Sequence, residues 1–180
     1  MSNDLLQAVI KSWRPEDLTY GALAAICEGW RQAGERIAFT NGCFDVLHTG
    51  HLELLREARN RGHRLIIGVN PDEWIVKHKG HGRPLQPASI RCAVAHRMAD
   101  ADLSLIFNDE TAERLLSIIR PTFYIIGSDY RGREILGHEY CGEVVMMDRL
   151  PGVSTTDTIR QAKQAVLDHQ VCDQGMTEPR

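Results

Sequence analysis

Thr40-Asn41-Gly42-Cys43-Phe44-Asp45-Val46-Leu47-His48-Thr49-Gly50-His51 decides the fold, because it lies directly after an apolar run and directly before a helical pattern. Arg36 to Phe39 reads as the end of a buried strand and Gly42 and Asp45 as turn formers. Leu52, Leu55 and Ala58 then recur at helical spacing. A strand, a tight turn and a helix start follow one another. His48 and His51 fall at the mouth of that helix, three residues apart, where both imidazoles can project from one face beside unpaired backbone N–H groups and the positive end of the helix dipole. Such a place attracts phosphate. Gly50 lies between them, where a missing side chain lets a phosphate approach the backbone. A lone histidine there would more simply cap the helix or fill a surface. Two histidines, the intervening Gly and the preceding Gly-x-Phe-Asp turn coincide at one junction. Neither G-x-G-x-x-G nor G-x-x-x-x-G-K-[ST] occurs, so any phosphate handling is of another kind.

Outward from this stretch, strands and helices alternate. Residues 1–35 read as an N-terminal helical extension, with Leu18, Ala22, Leu23, Ile26, Cys27 and Trp30 at helix spacing, a start marked by Pro15 and Asp17, and an end at Gly34. Residues 36–170 form the main domain. After the His48–Arg61 helix come a fully apolar strand at Leu65–Val69 and a short helix from Asp72 through Trp74. The basic, glycine-rich Lys77-His78-Lys79-Gly80-His81-Gly82-Arg83-Pro84 reads as a loop. Ser89 caps a helix through Met98, and Leu103–Phe107, Phe123–Ile126 and Glu143–Met147 supply three more strands, with a helix at Thr111–Ile119. Ser154-Thr155-Thr156-Asp157 opens the last helix, and residues 171–180 read as a frayed tail. Five strands alternating with helices predict an α/β fold, a Rossmann-like five-stranded parallel sheet with helices on both faces. Ligands of such sheets bind beyond the carboxyl ends of the strands. That rule gathers the first turn, the Gly127-Ser128-Asp129-Tyr130 turn and the Arg149–Thr156 loop at one rim.

Composition narrows the function class. The chain has 180 residues, 43% hydrophobic and 25% charged, with a formal net charge of −3. These values suit one globular domain and give no general attraction to nucleic acid. No apolar run approaches the roughly 20 residues that span a bilayer. The start lacks a basic region followed by an apolar core, so a cytoplasmic location is expected, with no membrane partner. Cys27, Cys43, Cys92, Cys141 and Cys172 are odd in number and contain no C-x-x-C pair, which disfavours a disulfide framework and a zinc site. Cys43 reads as a small packing residue of the key turn rather than a nucleophile.

Asn41-Gly42-Cys43-Phe44-Asp45 running into His48-Thr49-Gly50-His51 resembles the signature of the H-x-G-H superfamily of nucleotidyltransferases. The T-N-G-C-F-D form is most similar to the adenylyltransferases that act on heptose 1-phosphate, whereas the glycerol 3-phosphate cytidylyltransferases usually carry G-T-F-D there. The resemblance implies attack by an acceptor phosphate oxygen on the α-phosphorus of a nucleoside triphosphate with loss of pyrophosphate. Positioning and charge stabilisation carry most of such catalysis. His48 and His51 are the expected donors to phosphate oxygens. Lys77 and Lys79, in a loop able to close, match the family's K-x-K or L-K-G lysines. Arg91 matches a family arginine that faces the active site, although on residue pattern alone it reads as surface. Asp102 matches an acidic position or serves as a cap.

Gly127-Ser128-Asp129-Tyr130 resembles the family's G-G-D-Y turn beside base and ribose, with Asp129 accepting from the nucleoside or simply forming the turn. Arg149 and Gly152-Val153-Ser154-Thr155-Thr156 resemble the segment that holds the β- and γ-phosphates. Ser154 and Asp157 also form the pattern of a capping box, and both roles are compatible. The expected nucleotide contacts are therefore Asn41, Gly42, Cys43, Phe44, Asp45, Gly50, Gly127, Asp129, Arg149, Ser154, Thr155 and Thr156. Mg²⁺ is expected with the triphosphate, held by phosphate oxygens and water, and Asp45 reads as an orienting residue rather than a metal ligand.

Family habit also implies a homodimer. The partners implied are ATP or CTP and a phosphorylated sugar or alcohol. Ile126 and Ser128 stand where heptose adenylyltransferases usually carry Lys and Gly, and Arg149-Leu150-Pro151-Gly152 is nearer the cytidylyltransferase form. A cytidylyltransferase acting on glycerol 3-phosphate thus stays open, as does a non-catalytic nucleotide-binding module. An aminoacyl-tRNA synthetase fragment is disfavoured because no K-M-S-K-S loop is present.

Overall fold

The computed structural model describes residues 18–148 and 154–174, without the side chains of residues 129 and 167–174. Five parallel strands form one sheet: β1 (Ile37–Gly42), β2 (Arg64–Val69), β3 (Leu103–Ile106), β4 (Phe123–Gly127) and β5 (Glu143–Met147), in the order β3-β2-β1-β4-β5. The helices are α1 (Tyr20–Gln32), α2 (Thr49–Arg61), α3 (Asp72–Lys79), α4 (Ala88–Ala99), α5 (Glu113–Ile119) and α6 (Thr155–Gln174), with single 3₁₀ turns at Ser128–Tyr130 and His138–Tyr140.

Alternation along the strands divides the core in two. Ile37, Phe39, Ile66, Leu103, Leu105, Tyr124 and Ile126 point to one face, where Leu23, Ile26, Cys27 and Trp30 of α1 and Leu115, Leu116 and Ile119 of α5 bury them. Ala38, Leu65, Ile67, Val69 and Ile125 point to the other, covered by Leu55 and Ala58 of α2 and by Cys92, Ala95 and Ala99 of α4. Both faces are therefore dry, which accounts for the continuous apolar runs of β2 and β4. The extension's helix is thus one wall of this core, with Thr19 Oγ1 accepting from the Ala22 N–H as its cap.

Several boundaries differ from the sequence reading. The short helix after β2 runs on to Lys79, so Lys77 and Lys79 belong to its last turn and not to a loop. Cations at that end meet the negative pole of the helix dipole, and Gly80, at φ +85° with its N–H on the Val76 carbonyl, ends it in a conformation that a side chain would strain. Pro87 rather than Ser89 occupies the N-cap of α4. The last helix continues to Gln174, beyond residue 171 where fraying was expected. Pro15 and Asp17 lie outside the described residues, as do Arg149, Gly152 and Val153.

Successive connections step from β1 out to β2 and β3, then return across β1 to β4 and β5. The direction of winding reverses between β1 and β4. At such a switch point the loops leaving the carboxyl ends of two neighbouring strands part and leave a crevice.

Candidate active site

The crevice is lined on its floor by Asn41, Gly42, Cys43 and Phe44 at the end of β1, with His48, Gly50 and His51 at the mouth of α2. One wall consists of Gly127, Ser128 and Tyr130 after β4, Met147 and Asp148 after β5, and Ser154, Thr155 and Thr156 at the mouth of α6. The opposite wall consists of Asn70, Trp74, Lys79 and Arg83. Two helix mouths that the sequence separates by about a hundred residues thus open into one cavity.

His48 is the N-cap of α2: its carbonyl accepts from the N–H groups of His51 (2.9 Å) and Leu52 (3.1 Å), and its Nδ1 accepts weakly from the His51 N–H at 3.4 Å. The two imidazoles stack, with ring centroids 3.8 Å apart and planes 23° off parallel. Gly50 makes this possible, since a Cβ there would sit 3.1 Å from both Cε1 and Nδ1 of His48. Its absent side chain thus serves the histidine ring as well as any ligand. Burial first, then the nearby His48 and Lys79 charges, push His51 down from 6.5 to about 3, against an opposing pull from Asp45. It is a neutral imidazole at physiological pH. Its Nδ1 is buried without a hydrogen-bond partner within the described chain, a state that costs stability and that marks functional positions.

The turn beneath is held under strain. Phe44 and Val46 have φ of +48° and +50°, in the left-handed region that a β-branched residue avoids. Such residues persist only where their surroundings over-determine them. Here the surroundings are specific. Phe44 is buried against Gly42 and the His51 ring. The fully buried Asp45 carboxylate accepts from Arg83 Nε at 2.7 Å and from the N–H groups of Leu85 (2.9 Å) and Gln86 (3.2 Å). The Asp45 carbonyl accepts from Thr155 Oγ1 at 2.8 Å, which docks α6 on the turn.

Arg91 is buried completely, not on the surface, and is not among the residues that line the cavity. Its guanidinium donates to the carbonyls of Cys43, Gln86 (2.9 Å) and Asn70 (2.8 Å) and to Asp72 Oδ1 (2.6 Å), tying three loops from behind. Lys77 points away from the cavity, with Nζ 2.9 and 3.0 Å from the Glu110 carboxylate, whereas Lys79 stands on the rim. Asp45 likewise supports the floor without lining it. Asp102 sits at the amino end of β3, bridging Arg59 and Arg64 and accepting from the Leu65 N–H, at the opposite rim of the sheet. The Asn41 side chain is fixed by Tyr124, whose hydroxyl donates to Oδ1 at 2.6 Å. Ser154 Oγ accepts from the Asp157 N–H at 3.0 Å and donates to its carboxylate at 2.6 Å, so the capping pair forms. Asp129 lies in the 3₁₀ turn by its backbone alone, its side chain being outside the described atoms, and Arg149 is outside altogether.

The sequence reading misses Leu54, Asn70, Trp74, Arg83, Ser128, Tyr130, Met147 and Asp148 as members of the cavity. Ser128 and Tyr130 are visible there only as neighbours of Asp129. For Arg83 the signs are its place in a glycine-rich basic segment and, with Pro84 after Lys79-Gly80, a run that resembles the adenylyltransferase form. Trp74 gives none, since an aromatic residue in a short helix ordinarily packs.

Among the described residues no group of three or more His, Cys, Asp or Glu gathers to hold a metal ion, and no helix is long and apolar enough to cross a membrane. A model of the family described as cytidylyltransferase-like matches residues 39–161. The bifunctional protein HldE of Acidiphilium cryptum (strain JF-5) is 43% identical over 150 residues, which cover 81% of this chain and 31% of that protein. The bifunctional protein HldE of Bradyrhizobium sp. (strain ORS 278) is 40% identical over 147 residues, 79% of this chain and 30% of that protein. The chain spans about a third of the length of these relatives. A lipopolysaccharide core biosynthesis protein from Thermoplasma volcanium GSS1 superposes with a TM-score of 0.55 at 20% identity, over 65% of this chain and 99% of that one. Pantothenate synthetase from Thermus thermophilus does so with a TM-score of 0.53 at 18% identity, over 73% and 60%. At those identities the likeness is one of fold. With the family match covering well over half of its length and spanning both helix mouths, the chain belongs to the cytidylyltransferase-like family.

Proposed function

We propose that this domain transfers a nucleoside monophosphate, AMP from ATP, to a sugar phosphate such as D-glycero-D-manno-heptose 1-phosphate and releases pyrophosphate. The observation that carries it is the meeting of the α2 and α6 mouths at the stacked His48–His51 pair in one crevice. A phosphate oxygen of the acceptor attacks the α-phosphorus, the bond from that phosphorus to the α,β-bridging oxygen breaks, and both electrons leave with pyrophosphate. His48 and His51 donate hydrogen bonds to the oxygens on which charge gathers, His51 as a neutral donor that keeps its proton. Lys79 and Arg83 supply positive charge on the acceptor side, and the N–H groups and hydroxyls at Ser154–Thr156 supply donors for the leaving phosphates. Asp45 and Arg91 hold the floor. Lys77 takes no part in contact with substrate.

Two carboxylates lie at or beneath the crevice, and both are engaged: Asp148 with Arg131 at 2.6 Å, and Asp45 with Arg83 and two N–H groups. With no cluster of carboxylates gathered among the described residues, the site suits an Mg²⁺ ion carried in by the triphosphate and held by its oxygens and water, where it offsets their charge. Adenylate and a heptose phosphate are favoured by the T-N-G-C-F-D form of the floor and by the 43% identity to a bifunctional protein HldE.

The test is to incubate the protein with ATP or CTP, Mg²⁺ and a panel of phosphorylated sugars and alcohols, then follow pyrophosphate and weigh the product. An AMP–sugar product is expected. A CMP–alcohol product would move the assignment to a cytidylyltransferase. Nucleotide binding with no pyrophosphate from any pair would leave a binding module and end the enzymatic reading.

A further inference from the structure

We infer that Trp74 is the specificity-determining wall of the acceptor compartment, an aromatic platform on which the apolar face of a phosphorylated sugar ring stacks. This rests on the transferase reading above and adds to it which residue selects a ring. The α6 mouth and the loops after β4 and β5 form one wall beside the histidine pair, so the other wall, with Lys79 and Arg83, defines the compartment left for the second substrate. Trp74 is the aromatic side chain lining that side. Its indole is fixed on one edge and one face: Nε1–H donates to the Glu110 carbonyl at 2.9 Å, and one face of the ring stacks on His78 at 4.0 Å between centroids and 20° between planes. His78 is locked in turn, its Nδ1 2.8 Å from the Trp74 carbonyl and its Nε2 3.1 Å from the Glu110 carboxylate.

A tryptophan held this firmly, half-buried at a polar cavity and with its N–H already satisfied by protein, has one unspent property, the π face that His78 does not cover. Sugar rings present C–H groups on one face and hydroxyls around the rim, and the C–H face is what an aromatic plane takes. Lys79 beside it takes the phosphate, with Arg83 held next to it by the Asp45 carboxylate. An acyclic alcohol phosphate offers the same phosphate and no ring.

Binding is measured by calorimetry with a non-hydrolysable ATP analogue present, using heptose 1-phosphate and, as the ringless probe, glycerol 3-phosphate. Trp74→Ala is expected to weaken heptose 1-phosphate about tenfold, while glycerol 3-phosphate and the ATP analogue each change by less than about twofold. Trp74→Phe, which keeps a π face without the N–H bond, should restore most of the lost affinity. Turnover should show the same split, with KM for the sugar phosphate raised and kcat little changed. Equal weakening of both acceptors or of the ATP analogue would mean that Trp74 merely props α3 and would overturn the inference. So would a Trp74→Ala protein that adenylates the sugar phosphate like the wild type, and that result would leave the transferase reading intact. Wild-type protein that takes neither acceptor overturns the transferase reading, and this inference with it.

Discussion

Burial of the His51 ring, more than its charged neighbours, depresses its pKa to about 3, and this has a consequence for stability as well as catalysis. The folded protein keeps His51 neutral down to about pH 3, while the unfolded chain takes up a proton near 6.5. Between those values the unfolded state binds more protons, so the stability present above pH 6.5 falls steadily as the pH drops towards 3. His51→Gln should flatten that part of the curve in urea unfolding measured from pH 7 to pH 4, and at pH 7.5 should lower kcat on the order of a hundredfold. An unchanged acid limb would show that His51 titrates normally. Gly50 gives a complementary case. Gly50→Ala gains about 0.5–1 kcal/mol of helix propensity but drives a methyl against the His48 ring. The expected result is a melting temperature equal to or above that of the wild type, with kcat down by roughly ten- to a hundredfold from the displaced imidazole. A variant equally active would remove the stacked pair from the mechanism.

At the scale of elements, α3 separates two lysines that look equivalent in sequence. Lys77 is spent on Glu110 in an exposed ion pair, and Lys79 ends the helix at the cavity rim. Lys77→Ala should alter kcat/KM by less than about threefold, and Lys79→Ala should lower it by about a hundredfold. Equal effects would mean that α3 melts on substrate binding. Arg91, near the start of α4, holds three loops without touching the cavity. Arg91→Met strands the carbonyls it served and should cost about 3 kcal/mol in chemical denaturation, and Arg91→Lys should recover little because an ammonium cannot reproduce the fork.

These two elements also show what the sequence could and could not disclose. The strands and the α2 mouth were legible because a sheet buried on both faces demands unbroken apolar runs and the strand-to-helix turn is held by Asp45. Gly42, read as a turn former, is instead the last residue of β1, and the left-handed turn positions are Phe44 and Val46. The end of α3 was not legible, since Lys77-His78-Lys79-Gly80 has the composition of a loop, while the dipole, the Gly80 cap and the contacts of Lys77 and His78 with Glu110 and Trp74 keep it helical. Arg91 was illegible for a different reason: most of what its guanidinium serves, the carbonyls of Cys43 and Asn70 and the Asp72 carboxylate, lies far away in sequence and leaves no pattern in its own neighbourhood. Trp74 failed similarly, because its partner is the carbonyl of Glu110.

For the whole molecule, the crevice lies where the winding of the sheet reverses, and its walls come from opposite halves of the chain. A ligand spanning them must tie those halves together. Saturating ATP with Mg²⁺ at about a hundred times Kd adds about 2.7 kcal/mol, which for a domain of this size raises Tm by about 5–10 °C. Thermal denaturation followed by circular dichroism checks this, and the absence of any shift would show that the crevice does not bind the nucleotide.

One residue joins the two walls directly. Asp45 clasps the Arg83–Gln86 segment with its carboxylate and receives α6 on its carbonyl, so a single peptide unit is shared property of both sides. A segment grafted from a relative to alter acceptor choice therefore inherits an obligation: without a guanidinium positioned to meet that carboxylate, the graft would disturb the distant phosphate seat that it never touches.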